Sequence, residues 1–126
     1  MNVYLLCSAL LVILYFSLSF HVSMCRKRTN KLFGTVEDAT SELDKAIRTQ
    51  GNAGEYIPIL VALFLYFHSA APGSWVLWTA IIVTIARFCH AAGMLLSPTL
   101  HKPHPLRFIG ALLTYVCGFL LGAALL

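Results

Sequence analysis

The stretch RTQGNAGEYIPIL, from Arg48 to Leu60, joins a polar segment to an apolar one. Arg48, Asn52 and Glu55 stand at positions i, i+4 and i+7. On an α-helix their side chains fall within an arc of about 60°. Residues 57–71 are apolar or weakly polar, and they reach the length of a membrane span only together with the turns before them. The stretch therefore predicts a helix that carries one polar face into a membrane.

The composition of the whole chain agrees with a membrane location. Of 126 residues, 59% are hydrophobic and 11% are charged, whereas about a quarter of a soluble domain is usually charged. Such a chain lacks the polar surface that a water-soluble globule needs, so we predict an integral membrane protein whose partners include lipids and no nucleic acid. Four cysteines, at least 18 positions apart, favour neither a disulfide framework nor a metal site.

Four stretches have the length of a membrane span, which is about 20 apolar residues. They cover residues 3–24, 52–71, 75–96 and 106–126. The first has no basic segment before it and exceeds the apolar part of a signal peptide, so we interpret it as a retained span. Neither a repeat nor a second domain is visible. We predict one domain, residues 1–126, folded as an all-α membrane protein with a four-transmembrane-helix bundle.

The basic residues between the spans predict the orientation. The segment after the first span contains Arg26, Lys27, Arg28 and Lys31, and Lys102 follows the third span. The connection between the second and third spans has no charge. Because cytoplasmic loops are enriched in Lys and Arg, we expect the first and third loops in the cytoplasm and both termini outside.

Three local patterns add detail to the helices. TVED, residues 35–38, resembles a helix N-cap followed by acidic residues. An amphipathic helix is predicted to follow and to continue into the second span, with its apolar side formed by Val36, Ala39, Leu43, Ala46 and Ile47. Pro58 should kink that helix or remove one of its hydrogen bonds. GFLLG, residues 118–122, is a small-xxx-small motif that allows close helix contact.

Polar residues inside the spans need a reason, because a charge at this depth costs at least about 2.5 kcal/mol. Arg87 and His90 share a face of the third span. One interpretation is that Arg87 and Glu55 only neutralise each other. It does not explain four further polar groups at the same level, namely Arg48, Asn52, His90 and Arg107. We therefore favour a site for a small charged ligand, anionic because arginine binds carboxylates well, with Glu55 suited to an amine.

These residues also carry a family resemblance. RTQGNAGEYIPI resembles the second-helix signature of the MAPEG family, the membrane-associated proteins of eicosanoid and glutathione metabolism; the matching positions are Arg48, Asn52, Glu55, Tyr56 and Pro58. ARFCHAAG resembles the third-helix pattern through Arg87 and His90, and PLR resembles the entry into the fourth helix. The pattern looks closer to the small bacterial members than to the eicosanoid synthases.

The resemblance implies a homotrimer of left-handed four-helix bundles in a bacterial inner membrane, with glutathione as cosubstrate between neighbouring subunits in a cytoplasm-facing pocket. It implies that Arg107 stabilises the glutathione thiolate. Either Arg26 or Arg28 would complete the site of the neighbouring subunit. The residues implied to hold glutathione are Arg48, Asn52, Glu55, Tyr56, Arg87 and His90. Two departures are Met94, where many members have tyrosine, and about four extra residues before Arg107.

The function that follows is an expectation from the resemblance. We expect a glutathione transferase-like enzyme, with possible peroxidase activity, that acts on lipophilic electrophiles from the bilayer. Its nucleophile would be the sulfur of the ligand, in agreement with the lack of a catalytic triad. One alternative is a non-catalytic member that binds another anion. A small four-span exporter is less favoured, because residues 3–24 contain no carboxylate.

Overall fold

The computed structural model describes residues 2–126, and within them it contains four α-helices and no β-strand. The helices are α1 (Val3–Thr29), α2 (Glu42–Ala70), α3 (Ser74–Leu96) and α4 (Pro105–Ala123). Each is long and apolar enough to cross a membrane. The predicted all-α fold with four transmembrane helices is therefore confirmed.

The helices are arranged so that α1 packs mainly on α2 and α3 packs mainly on α4, with smaller α1–α3 and α2–α3 contacts. The segment between α1 and α2 meets the segment between α3 and α4, because Leu100 N donates to Ala39 O at 2.9 Å. Lys45 Nζ also donates to Ser97 O at 3.1 Å. Both connections thus lie at one end of the bundle. We call it the basic end, since it contains the basic last turn of α1 and the segment of residues 97–104 with Lys102.

The last turn of α1 extends beyond the predicted apolar span. Asn2 caps its start by accepting from Tyr4 N at 2.9 Å, and Asn30 ends it in a left-handed conformation. The final turn contains Arg26, Lys27 and Arg28. Basic side chains at a helix C-terminus interact favourably with the helix dipole, which explains why the helix continues past the apolar residues.

The predicted helix start at TVED is wrong. Helix α2 begins at Glu42, and Ser41 is its N-cap, accepting from Asp44 N at 3.0 Å. The preceding segment stays non-helical because Glu37 has a φ of 54°. The Asp44 carboxylate also accepts hydrogen bonds from Val36 N at 2.9 Å and Asp38 N at 2.8 Å. These two backbone N–H groups of the loop therefore have partners without forming a helix.

One further expectation for α2 is confirmed, and the kink or lost hydrogen bond expected at Pro58 stays a prediction. The helix runs without interruption from the polar stretch into the apolar one, as predicted, and it continues through Pro58 to Ala70.

In the loop before α2, the Asp38 carboxylate accepts hydrogen bonds from both the backbone N–H and the hydroxyl of Thr40. These hydrogen bonds lower the pKa of the Asp38 carboxyl group.

Close backbone contact between α3 and α4 depends on two glycines. A Cβ added at Gly93 would collide with the backbone of Leu106 and Arg107. At Gly110 it would lie 2.6 Å from His90 N and 2.7 Å from Ala86 O. These contacts hold the start of α4 against the end of α3, and so bring Arg107 beside the turn of α3 that contains His90.

The small-xxx-small motif of α4 has a different outcome. A Cβ added at Gly118 or Gly122 would meet nothing within 4 Å among the described residues. The close helix contact that the motif allows is therefore not made within residues 2–126, and the glycines that do make one stand elsewhere.

Candidate functional site

A cavity of about 420 Å³ opens at the basic end, between α2, α3, α4 and the segment of residues 97–104. Arg48 and Asn52 line it from α2, His90 from α3 and Arg107 from α4. These are the four residues that the sequence placed at one level of the membrane. Here the structure brings all four to one cavity.

The polar face of α2 forms one wall. Arg48 Nη1 lies 3.2 Å from Glu55 Oε1, and each side chain is 52% exposed. An ion pair exposed to this extent contributes at most about 1 kcal/mol. The pair can therefore separate at little cost and present a guanidinium and a carboxylate to a ligand.

Arg87 lies behind this wall rather than in it. Its side chain is only 2% exposed, and it donates hydrogen bonds to Asn52 Oδ1 and to Thr114 Oγ1, the second at 3.4 Å. Its guanidinium carbon is 5.0 Å from the centre of the Tyr56 ring, within the range of a cation–π interaction. Arg87 thus fixes the position of Asn52, which does line the cavity.

The interpretation in which Arg87 and Glu55 neutralise each other is wrong. Glu55 pairs with Arg48, which stands on the same helix two turns earlier. Arg87 is turned into the bundle, where neutral oxygens and an aromatic ring surround it. The buried charge is stabilised by these dipoles. Glu55 does not itself line the cavity, and its half-exposed carboxylate pairs with Arg48, which does.

His90 is 5% exposed and lines the cavity from α3. Within residues 2–126, its Nδ1 is buried and has no hydrogen-bond partner. Buried polar atoms are rarely left in this way. The imidazole therefore has unused hydrogen-bonding capacity at the cavity wall. Met94, one turn further along α3, is 1% exposed and packed in the core, so it does not line the cavity.

Arg107 is held by the segment before it. His104 Nδ1 caps α4 by accepting from Leu106 N at 3.2 Å, and Pro105 occupies the first turn. Arg107 Nη1 donates to Leu100 O at 2.9 Å. The residues before Arg107 thus form part of its support, and the same segment contributes His101 and Lys102 to the cavity lining.

Sequence reasoning missed these two loop residues, and it also missed Tyr115. Tyr115 lines the cavity from α4. Its ring centre lies 6.1 Å from that of Tyr56. The available signal was spacing, because Arg107, Ala111 and Tyr115 follow one another at four-residue intervals on α4.

A second, apolar cavity of about 280 Å³ adjoins the first. Tyr115 lines both cavities, and Tyr56, Leu60 and Phe119 are among the other residues around the second. The polar cavity at the basic end and the apolar space between α2 and α4 thus share Tyr115 as a lining residue.

The two candidates at the end of α1 lie apart from the cavity. Arg26 Nη1 donates to the carbonyls of Lys31 and Gly34, at 3.2 and 3.0 Å. Arg28 Nη2 forms an ion pair with Glu42 Oε1 at 2.7 Å. Within the described residues of a single chain, neither arginine lines the cavity.

Comparison with known proteins agrees with this architecture. The model of the MAPEG family matches residues 4–126. The chain is 36% identical over 91 residues to "Inner membrane protein YecN" of Escherichia coli K12, and equally to its counterpart in Escherichia coli O6:H1. These alignments cover 71% of this chain and 66% of the relatives, slightly less than two thirds of their length. Since the family model matches nearly the whole chain, the protein belongs to the MAPEG family.

Proposed function

We propose that the protein is a glutathione-dependent membrane enzyme that conjugates glutathione, through its sulfur, to lipophilic electrophiles or reduces lipophilic peroxides. One observation carries the proposal. Arg48, Asn52, His90 and Arg107, from three different helices, line a single cavity of about 420 Å³. That volume is within the usual range of about 300–1,000 Å³ for small-molecule sites.

The charges around the cavity fit the charges of glutathione, a peptide with two carboxylates, one amine and one thiol. Arg48, Lys102 and Arg107 supply cations for carboxylates and for a thiolate. Glu55, beside Arg48, supplies the carboxylate for the amine. Asn52 and His90 offer neutral hydrogen-bonding groups to the peptide backbone, so each kind of ligand group has a counterpart.

Arg107 is the residue that we propose for thiolate stabilisation. A free thiol has a pKa of about 8.5, so that little thiolate exists at neutral pH. Lowering this pKa by about two units requires roughly 2.7 kcal/mol of differential stabilisation, and a guanidinium near the sulfur favours the charged form. The thiolate would then attack the electrophile, forming a carbon–sulfur bond as the leaving group departs.

The adjoining apolar cavity provides a place for the acceptor substrate. It is lined mainly by aliphatic and aromatic side chains of α2 and α4, and it shares Tyr115 with the polar cavity. A lipophilic molecule dissolved in the bilayer could enter between these helices and come close to the thiolate. Its reactive carbon or oxygen would then lie at the boundary of the two cavities.

We further propose that the protein assembles as a homotrimer in a bacterial inner membrane, with the basic end in the cytoplasm. The location is suggested by the name of the Escherichia coli relative. In such an assembly, Arg26 or Arg28 of one subunit would reach the cavity of the next. In their own chain Arg26 donates to the carbonyls of Lys31 and Gly34 and Arg28 pairs with Glu42, so neither is used at the cavity.

A non-catalytic anion-binding function is the second candidate, and one observation favours it. Arg107 Nη1 already donates to Leu100 O. One of its donors is therefore engaged, and the remaining ones could hold a carboxylate instead of a thiolate. In that case the cavity would bind glutathione or a similar anion without activating it.

Ultraviolet absorbance of the thiolate distinguishes these functions. Purified protein in detergent is titrated with glutathione, beside Arg107→Ala and the control Lys27→Ala, an exposed basic residue away from the cavity. The enzyme proposal predicts a saturable thiolate signal in the wild type and the control, and its loss at neutral pH in Arg107→Ala. Binding without any thiolate signal favours the anion-binding protein, and absence of binding contradicts both.

A further inference from the structure

Three potential metal ligands meet at the junction of α1 and α2. His21 and Cys25 stand one helical turn apart on α1, and Glu42 is the first residue of α2. The imidazole nitrogen, thiol sulfur and carboxylate oxygen that they offer all lie within 4.8 Å of one another. His21 Nε2 and Cys25 Sγ are 3.7 Å apart. None of the three residues lines either cavity described above.

We propose that His21, Cys25 and Glu42 bind a divalent transition-metal ion of the zinc type. Zinc is bound in proteins by thiolate, imidazole and carboxylate groups, and sites with three protein ligands keep water in the fourth position. Imidazole and thiolate favour zinc over magnesium or calcium, which prefer oxygen ligands. The two α1 ligands project from one face, because residues four positions apart are neighbours on a helix.

The surroundings of the three residues suit such a site. Cys25 is fully buried and packs with Leu43 and Ala46 of α2, while Glu42 is exposed and His21 is half-buried. The site thus has an apolar base and one side open to water. An ion can enter from that side, and the packed base restricts the positions of the thiol and of the first turn of α2.

In the structure the Arg28 guanidinium, itself a cation, contacts two of the three potential ligands. Its Nη2 lies 2.7 Å from Glu42 Oε1 and 3.6 Å from Cys25 Sγ. The Arg28 side chain is 55% exposed, so it can rotate into water when a metal ion enters. On binding, the Cys25 thiol releases its proton to solvent, and thiolate and carboxylate together balance the two charges of the ion.

A bound ion would connect the end of α1 to the start of α2 directly. The segment between Cys25 and Glu42 would then be closed by coordination bonds as well as by packing. Binding would also free the Arg28 guanidinium from Glu42. The metal site would therefore control which groups at the basic end carry an unpaired positive charge.

Cobalt spectroscopy tests the proposal. The detergent-purified chain, first treated with a chelator, is titrated with Co²⁺. We expect a thiolate-to-cobalt charge-transfer band that saturates at one ion per chain and disappears when Zn²⁺ is added. The band should be lost in Cys25→Ser and retained in the control Cys89→Ser. Because the thiol must lose its proton, Co²⁺ should bind more tightly as the pH rises.

Two exposed positions keep the test independent of folding defects at the buried Cys25. Loss of partners outside the metal's own ligand shell already weakens binding about 10–100-fold, so Glu42→Gln should weaken Co²⁺ binding at least about tenfold. Arg28→Gln should strengthen it, because the competing cation is removed. A wild type without the band, a band that persists in Cys25→Ser, or unchanged affinity in Glu42→Gln would overturn the proposal.

Discussion

At the scale of single residues, the cavity combines an accessible ion pair with a buried arginine, and the two should respond differently to mutation. Arg48 is half-exposed and pairs with Glu55, whereas Arg87 is buried behind Asn52. We therefore expect Arg48 to contribute to ligand binding and Arg87 to position Asn52.

Replacement of Arg48 should affect the ligand more than the fold. Loss of a charge-assisted hydrogen bond costs about 1.5–3 kcal/mol, so Arg48→Ala should weaken glutathione binding at least about tenfold. Its exposed ion pair contributes at most about 1 kcal/mol to stability. Calorimetric titration and the melting temperature measure the two effects, with Lys27→Ala as control. A large loss of stability with unchanged affinity would contradict this role.

Replacement of Arg87 should affect both properties. Arg87→Met fills similar space but leaves Asn52 and Thr114 without their donor, and an unsatisfied buried group costs about 1–3 kcal/mol. We expect lower thermal stability and weaker glutathione binding, although Arg87 does not line the cavity. Thr114→Val, which removes only the longer of the two hydrogen bonds, should have the smaller effect on binding. Equal effects would show that Asn52 is not held through Arg87.

At the scale of helices, two glycines decide how α4 lies on α3. Gly93→Ala would place a methyl group in the backbone of Leu106 and Arg107. Overpacking of this kind costs about 1–3 kcal/mol, and it would displace Arg107 from His90. We therefore expect a lower melting temperature together with a loss of the thiolate signal.

Gly118→Ala is the matched control on α4, because its added methyl group meets nothing within 4 Å in the described chain. Alanine in a helix is favoured over glycine by roughly 0.5–1 kcal/mol. Gly118→Ala should therefore be as stable as the wild type or slightly more stable. If Gly93→Ala is tolerated equally well, the close contact between α3 and α4 is contradicted.

The start of α2 gives a second test at this scale. Ser41→Ala removes the side-chain cap of the helix and should cost about 0.5–2 kcal/mol. Thr35→Ala should cost less, since Thr35 accepts only a long hydrogen bond of 3.3 Å from Glu37 N. Thermal unfolding of both variants in the same detergent measures the difference. If Thr35→Ala loses more stability than Ser41→Ala, a helix start at TVED is indicated and the start at Ser41 is contradicted.

The sequence predicted the features that depend on neighbouring residues better than those that depend on residues far apart in the chain. The four helices were visible because apolar length is a local property, and the face of Arg48, Asn52 and Glu55 because helical spacing is local too. The start of α2 was misplaced, since the carboxylate of Asp44 satisfies a loop six and eight residues away. The local sequence did not decide between the two starts, because both TVED and the residues around Ser41 have capping patterns.

Contacts between distant segments explain the remaining differences. A pairing of Arg87 with Glu55 was one interpretation of the sequence, but the orientation of Arg87 depends on Thr114 and Asn52, which are 27 and 35 positions away. His101 and Lys102 reach the cavity only because Leu100 bonds to Ala39 and Arg107. Gly93 and Gly110 show no motif in the sequence, whereas the visible motif at Gly118 and Gly122 makes no close contact within the described chain.

At the scale of the whole molecule, the proposed homotrimer predicts that sites are shared between chains. An Arg26→Ala, Arg28→Ala double variant and an Arg48→Ala variant should each bind glutathione poorly. When the two are co-expressed, mixed trimers contain some sites with an intact Arg48 and an intact neighbour. We therefore expect binding to be partly restored, as measured on protein purified through tags on both chains. Absence of restoration would contradict the contribution of a neighbouring subunit.

A structure of the protein determined with glutathione tests the central proposal most directly. We predict glutathione in the cavity at the basic end, with its carboxylates near Arg48 and Lys102 and its sulfur within hydrogen-bonding distance of Arg107. Glutathione bound at another place, or a cavity that remains free of it at saturating concentration, would contradict the account.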